Sequence, residues 1–172
     1  PKVSSERRRY VPLGFVEPPT LCSDLVFLIP DATLYHFGVL HSQFHNAWMR
    51  TVCGRLKSDY RYSGGVVYNT FPWPGATSDN LAVPVEQLVP PEVRQRIEAC
   101  AQGVLDARTA HTGATLADLY DPEKMPSDLL AAHKALDAAV EAAYSVHFDG
   151  DEEKIVAHLF GMYAKLTERQ SR

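Results

Sequence analysis

The stretch "FGVLHSQFHNAWMRTVCG", residues 37–54, decides how this chain folds. Leu40, Phe44, Ala47, Trp48 and Val52 recur at spacings of three and four, which lays one apolar stripe along an amphipathic helix. Gly54 stands where such a helix would end in a left-handed conformation. His41, Gln43, Asn46 and Arg50 form its predicted polar face.

The chain leaves this helix into "RLKSDYRYSGG" (55–65), where Arg55, Lys57 and Arg61 surround a lone acid, Asp59, and two tyrosines. "GVVYNTFPWP" (65–74) follows, β-branched and aromatic residues broken by Pro72 and Pro74, and reads as a strand. Upstream, "DLVFLIP" (24–30) reads as a largely buried strand stopped by Pro30. Residues 1–20 carry Arg7, Arg8 and Arg9 and then become proline-rich.

Turn formers and prolines make 75–90 a predicted linker, beyond which the sequence turns alanine-rich and helical. Pro90 and Pro91 open a helix with Val93, Ile97, Ala101 and Val104 on one side. A short helix is predicted after Thr115. Another starts at Pro126 with Leu129, His133, Leu136 and Val140 in register, and Tyr144 or Ala143 continues the row. A last helix aligns Ile155, Leu159, Met162, Tyr163 and Leu166 behind an acidic first turn that suits the helix dipole. Three sizeable amphipathic helices with short connections imply a small bundle.

With 45% apolar and 22% charged residues in 172, the composition is that of a globular protein, and no apolar window is long enough to span a membrane. The first residues read as mid-domain sequence, so a fragment of a larger protein is expected. Cys22, Cys53 and Cys100 are sparse and odd in number, which fits reduced thiols, best read as small buried hydrophobes. His41 and His45 have the four-residue spacing of two metal ligands, but Ser42 stands where H-E-x-x-H needs its glutamate, and no third ligand is evident. Packed or polar helix histidines are the better reading. "DGDEE" (149–153) lacks calcium-loop spacing and reads as a turn and helix start. No dinucleotide, Walker or G-x-S-x-G motif occurs, so nothing reads as a complete catalytic centre.

The net charge of −4 hides an asymmetry: residues 1–75 carry 8 Lys/Arg against 5 Asp/Glu, and residues 76–172 carry 9 against 16. The first half is suited to an anion. In the basic stretch, arginines can neutralise phosphates, a lysine can donate to guanine O6 and N7, and an aspartate can accept from cytosine N4. Lys57 and Asp59, two apart, would project to one side of an extended segment and address one G·C pair. Arg55 and Arg61 are the leading candidates for phosphate contacts, with Arg7, Arg8 and Arg9 behind them. For Trp48, Tyr60, Tyr62 and Trp73, core packing is the predicted role.

The words "SSERRRYVPLGF", "IPDATLYHFGVLHSQFHNAWMR", "VCGRLKSDYRYS" and "VVYNTFPWP", in that order over residues 4–74, resemble the MmeI-like Type II restriction–modification enzymes and related adenine-N6 DNA methyltransferases. Residues 75–172, with "LDAAVEAAYS" at 136–145, resemble that family's C-terminal helical domain. The resemblance implies a methyltransferase domain using S-adenosylmethionine, then a target recognition domain, then a helical tail, with an N-terminal nuclease in some members. It implies that this chain is an α+β fragment. Residues 1–76 would be the end of an α/β target recognition domain, and 77–172 a small all-α helical bundle. The family's N-P-P-[YF] motif is absent, Asn69-Thr70-Phe71-Pro72 falling short of it, and so is the cofactor-binding motif. The fragment is therefore expected to be non-catalytic and to hold no cofactor or metal itself. The position pair matching Lys57 and Asp59 occurs in the family as Glu-x-Arg or Lys-x-Asp and helps set one base pair. The Lys-x-Asp form implies G where the other form reads C. Expected partners are double-stranded DNA and the methyltransferase domain of the same protein, without a membrane, in a bacterial cytoplasm. The rival reading is a helical protein-interaction or structural module, supported by the acidic second half.

Overall fold

The computed structural model describes residues 1–168, which are mostly helical with one small antiparallel sheet. The elements are β1 (Val3–Ser4), α1 (Leu34–His41), α2 (Gln43–Val52), β2 (Gly54–Leu56), β3 (Asp59–Arg61), α3 (Pro91–Ala110), α4 (Leu116–Leu119), α5 (Ser127–Ala143) and α6 (Glu152–Thr167). A π-helical turn covers Gly64–Tyr68 and a 3-10 turn covers Val85–Gln87. In the sheet, β3 lies between β1 and β2, so its edges are both paired.

The helix expected through 37–54 is two helices broken at Ser42, whose backbone is extended and whose hydroxyl donates to the Val39 carbonyl at 2.7 Å. A break orphans backbone groups, and buried ones must find partners. His41 and Asn46, placed on a polar face by the sequence, are instead buried, and Asn46 fills this need. Asn46 Nδ2 donates to the Ser42 carbonyl (2.8 Å) and the His41 carbonyl (3.3 Å), while its Oδ1 accepts from the Val11 N–H at 2.8 Å. His45 Nδ1 bonds the Leu40 carbonyl at 2.9 Å. The freed Gln43 N–H donates to Asp137 Oδ1 at 2.7 Å, and the Tyr10 hydroxyl donates to Asp137 Oδ2 at 2.6 Å.

Helix α1 is buried on almost every side and forms the centre of the core, packed on α3 and α5. Gly38 permits that approach, since a β-carbon there would come within 2.8 Å of Ile97 Cγ2. Ile97, Ala101 and Val104 of α3, Leu129, Leu136 and Val140 of α5, and Ile155 and Leu159 of α6 are buried, as their three- and four-residue spacing requires. Val93 is half-buried at the end of its row. Helix α2 runs against α6, with Trp48 5.0 Å from Phe160 and 5.8 Å from Tyr163. Across the two halves, Arg108 donates to the Leu13 carbonyl (2.7 Å) and sits 3.1 Å from His41 Nε2. Tyr120 bridges Arg108 and His133.

Several local expectations fail for identifiable reasons. Gly54 is not left-handed; it begins β2, after Cys53 ends α2 in extended backbone. Residues 64–68 coil instead of forming a strand: Gly64-Gly65 lack β-carbons, and the Val67 carbonyl accepts from the Trp48 indole N–H at 3.2 Å. "DLVFLIP" is neither strand nor buried. Leu25, Phe27 and Leu28 are exposed, and the Leu25 carbonyl merely accepts one bond from the Lys2 N–H. The presumed linker is packed in part, with Val89 buried and Val85 and Leu88 against the core. Cys22 is exposed, and Cys53 and Cys100 are half-buried, all as free thiols.

Burial holds the ring of His45 down to about 4 and that of His133 down to about 3, and it pushes His41 well below its ordinary range. These rings stay neutral when folded and charge in the unfolded chain below about 6.5, so stability is lost as pH falls below that value, by up to about 1.4 kcal/mol per ring per pH unit. Asp137, pushed up to about 6 by burial, acts the other way and favours the fold as it takes up a proton. Three rings outweigh one carboxyl. The midpoint of thermal unfolding, measured from pH 7.5 to 4.5, should fall steadily below 6.5, and His133→Gln should flatten that fall.

Candidate nucleic-acid interface

The basic stretch is a β-hairpin. Gly54, Arg55 and Leu56 of β2 face Arg61, Tyr60 and Asp59 of β3, which leaves Lys57-Ser58 as a two-residue turn. Lys57 has φ 57° and Ser58 is not in the positive-φ region, the pattern of a type II′ turn, whose first central position favours glycine. Side chains alternate from this register. Tyr60 and Ser4 are buried on the inner face, and Asp59, Arg61, Leu56 and Val3 share the outer one.

This corrects the geometry expected for Lys57 and Asp59. They are not two residues apart on an extended segment; Lys57 projects from the tip and Asp59 from the first position of the returning strand. The pair that shares a strand face is Asp59 and Arg61. Period-two reasoning missed this because "LKSD" contains neither Gly nor Asn to announce a tight turn.

Arg55, Lys57 and Arg61 are all exposed, as a surface for a polyanion needs and as burial in an interaction module would not give. Arg55 is nonetheless engaged. Its Nη1 donates to the Ser58 carbonyl (2.7 Å) and to Glu6 Oε2 (3.1 Å), and its guanidinium lies 4.1 Å from the centre of the Tyr60 ring. Arg7 is exposed but paired with Glu123 at 2.6 Å. Arg9 lies over the Tyr10 ring at 5.6 Å, and Arg8 lines an open groove of about 630 Å³ beside Pro12, Phe15 and Leu28. Arg50, not singled out as functional, binds Glu152 through two 2.8 Å bonds and ties α2 to the start of α6.

The hairpin grows from the core. His45 Nε2 meets the Tyr62 hydroxyl at 3.0 Å, and Tyr62 N–H donates to the Lys2 carbonyl at 2.8 Å, fixing β1 and the end of β3 to α2. Both ring nitrogens of His45 are thereby engaged, and no cluster among the described residues could hold a metal ion. Trp48, Tyr60 and Trp73 are buried and Tyr62 half-buried, so the aromatics of this region pack. No helix among the described residues is long and apolar enough to cross a membrane.

A lysine at positive φ carries backbone strain of about 1–3 kcal/mol that glycine would relieve. Lys57→Gly should leave the midpoint of thermal unfolding unchanged or raised. A clear drop in that melt would mean the lysine side chain is needed for the fold.

Residues 1–75 match the family described as MmeI, target recognition domain, and residues 89–170 the one described as MmeI, C-terminal domain. DNA methyltransferase A of Bacillus subtilis (strain 168) is 41% identical over 170 residues, 98% of this chain and 18% of that protein. The structure of the Type IIL restriction-modification enzyme MmeI in complex with DNA aligns at TM-score 0.87 and 41% identity, over 97% of this chain and 21% of the other. The chain thus spans about a fifth of the length of these relatives. It belongs to the MmeI family, as target recognition domain sequence followed by the helical C-terminal domain.

Proposed function

We propose that this chain is the sequence-reading part of an adenine-N6 DNA methyltransferase, that it is not itself catalytic, and that the hairpin 54–61 enters a groove of double-stranded DNA. The observation that carries this reading is a hairpin whose inner face is anchored in the core, whose tip and outer face expose Lys57 and Arg61, and whose Asp59 is half-buried beside them. The relative solved with DNA supports it. Lys57 donates to guanine O6 and N7, and Asp59 accepts from cytosine N4. Although the turn separates them, a tip residue and its strand neighbour can meet adjacent edges of one pair. Arg61 contacts a phosphate, with Arg8 and Arg9 as further contacts. For Arg55 and Arg7 to do so, each would have to exchange a carboxylate, Glu6 or Glu123, for phosphate.

The recognition part extends over 1–76 and the helical domain over 77–172. The helices serve as the brace that holds α1 and α2, and thereby the hairpin, in place. Methyl transfer and the binding of S-adenosylmethionine belong to the methyltransferase domain of the same protein, because this chain holds neither motif. That domain and DNA are its partners, in a bacterial cytoplasm.

Exchanging polarity, Lys57→Glu with Asp59→Arg, should change the preferred base pair at one position of the methylated site. One good contact pair discriminates by about 1–3 kcal/mol, roughly 5- to 150-fold. Sequencing the sites methylated by the whole protein reads this directly, and an unchanged site removes the base-reading role. Arg61→Ala should weaken binding almost equally on all sequences and lower the salt slope by about one. Titration of labelled duplex at several salt concentrations measures it. A loss confined to one sequence would make Arg61 a base reader instead.

A further inference from the structure

We infer that Arg55 and Glu6 are positioning residues that set the conformation of the Lys57–Ser58 turn and so aim the two base-reading side chains. The inference rests on the base-reading role of Lys57 and Asp59.

Four observations converge on the turn. Lys57 occupies a backbone conformation that favours glycine, so the turn does not hold itself by local preference. The peptide that follows it is clamped, because Arg55 Nη1 donates to the Ser58 carbonyl at 2.7 Å. The same nitrogen donates to Glu6 Oε2 at 3.1 Å, just past β1. The Tyr60 ring, 8% exposed and directly across the ladder from Arg55, supports the guanidinium from below at 4.1 Å. The tip is thus tied to β1 and to the core.

A phosphate role suits Arg55 poorly. The carboxylate of Glu6 already compensates its charge and would be forced against any phosphate brought to it. A bracket needs what is seen: a guanidinium whose Nη1 reaches a carbonyl and a carboxylate while the group lies over a ring face. A lysine ammonium has donors for both oxygens but no planar group to lie over the Tyr60 ring while it reaches them.

The test compares Arg55→Ala, Arg55→Lys and Glu6→Gln in the whole protein. Three readouts are needed: methylation rates on duplexes with the read base pair intact or reversed, the salt slope of binding, and amide hydrogen exchange of peptides covering 54–61. Arg55→Ala and Arg55→Lys should each lower discrimination at least 5-fold and speed exchange in that peptide, with the salt slope unchanged. Glu6→Gln should act in the same direction more weakly. A slope reduced by about one with discrimination intact in Arg55→Ala, or full function in Arg55→Lys, would make Arg55 a phosphate ligand and overturn the inference. Unchanged exchange at 54–61 would overturn it as well, with base reading left standing. Faster exchange in Arg55→Ala, beside an unchanged site in the Lys57→Glu, Asp59→Arg protein, would instead refute base reading and leave the bracket.

Discussion

The carboxylate of Asp137 joins the two halves of this chain. Its oxygens take the Tyr10 hydroxyl and the Gln43 N–H, one from the basic segment and one from the first turn of α2. The second bond exists because the helix breaks at Ser42 and leaves that N–H without a partner inside the helix. A buried carboxylate with two short bonds is costly to disturb, since removing either partner leaves a desolvated polar group unsatisfied. Around it, Asn46 and His45 capture the other groups the break releases, and Arg108, bonded to the Leu13 carbonyl, to Tyr120 and to the ring of His41 at the end of α1, makes a second cross-link.

The break has a purpose in the architecture. A straight helix over 34–52 would present its apolar stripe along one line. The bend lets α1 run through the middle of α3 and α5 while α2 turns toward α6. The end of α2 then delivers the chain into the hairpin, and His45, Tyr62 and Tyr60 bind the hairpin's inner face to the core. The tip and most of the outer face are left exposed. An acidic helical half and a basic hairpin are therefore parts of one support, and the net charge of the whole conceals this.

The helical half was legible because its signals are local and periodic. Leu129, His133, Leu136 and Val140 are buried as their spacing says, and Thr115 and Asp151 cap the helices that follow them. The family of the basic stretch was legible in its sequence, but its geometry was not. A lysine at positive φ gives no sequence signal for a turn, and the register that separates Lys57 from Asp59 is set by the pairing of Leu56 with Asp59, which side-chain alternation along the sequence does not reveal. His41 and Asn46 looked like solvent-facing polar residues because what buries or engages them is distant in sequence: Arg108 of α3 and His133 of α5 for His41, and the Val11 N–H for Asn46. "DLVFLIP" misled in the opposite sense, since an apolar run carries no record of whether anything covers it.

The most direct measurement is a crystal structure of the whole protein on a duplex that contains its methylated site. The account predicts the turn in a groove, with Lys57 Nζ about 2.7–3.2 Å from guanine O6 or N7 and an Asp59 oxygen at the same range from cytosine N4. A hairpin tip directed into solvent, or both side chains held on protein groups away from base edges, would contradict it.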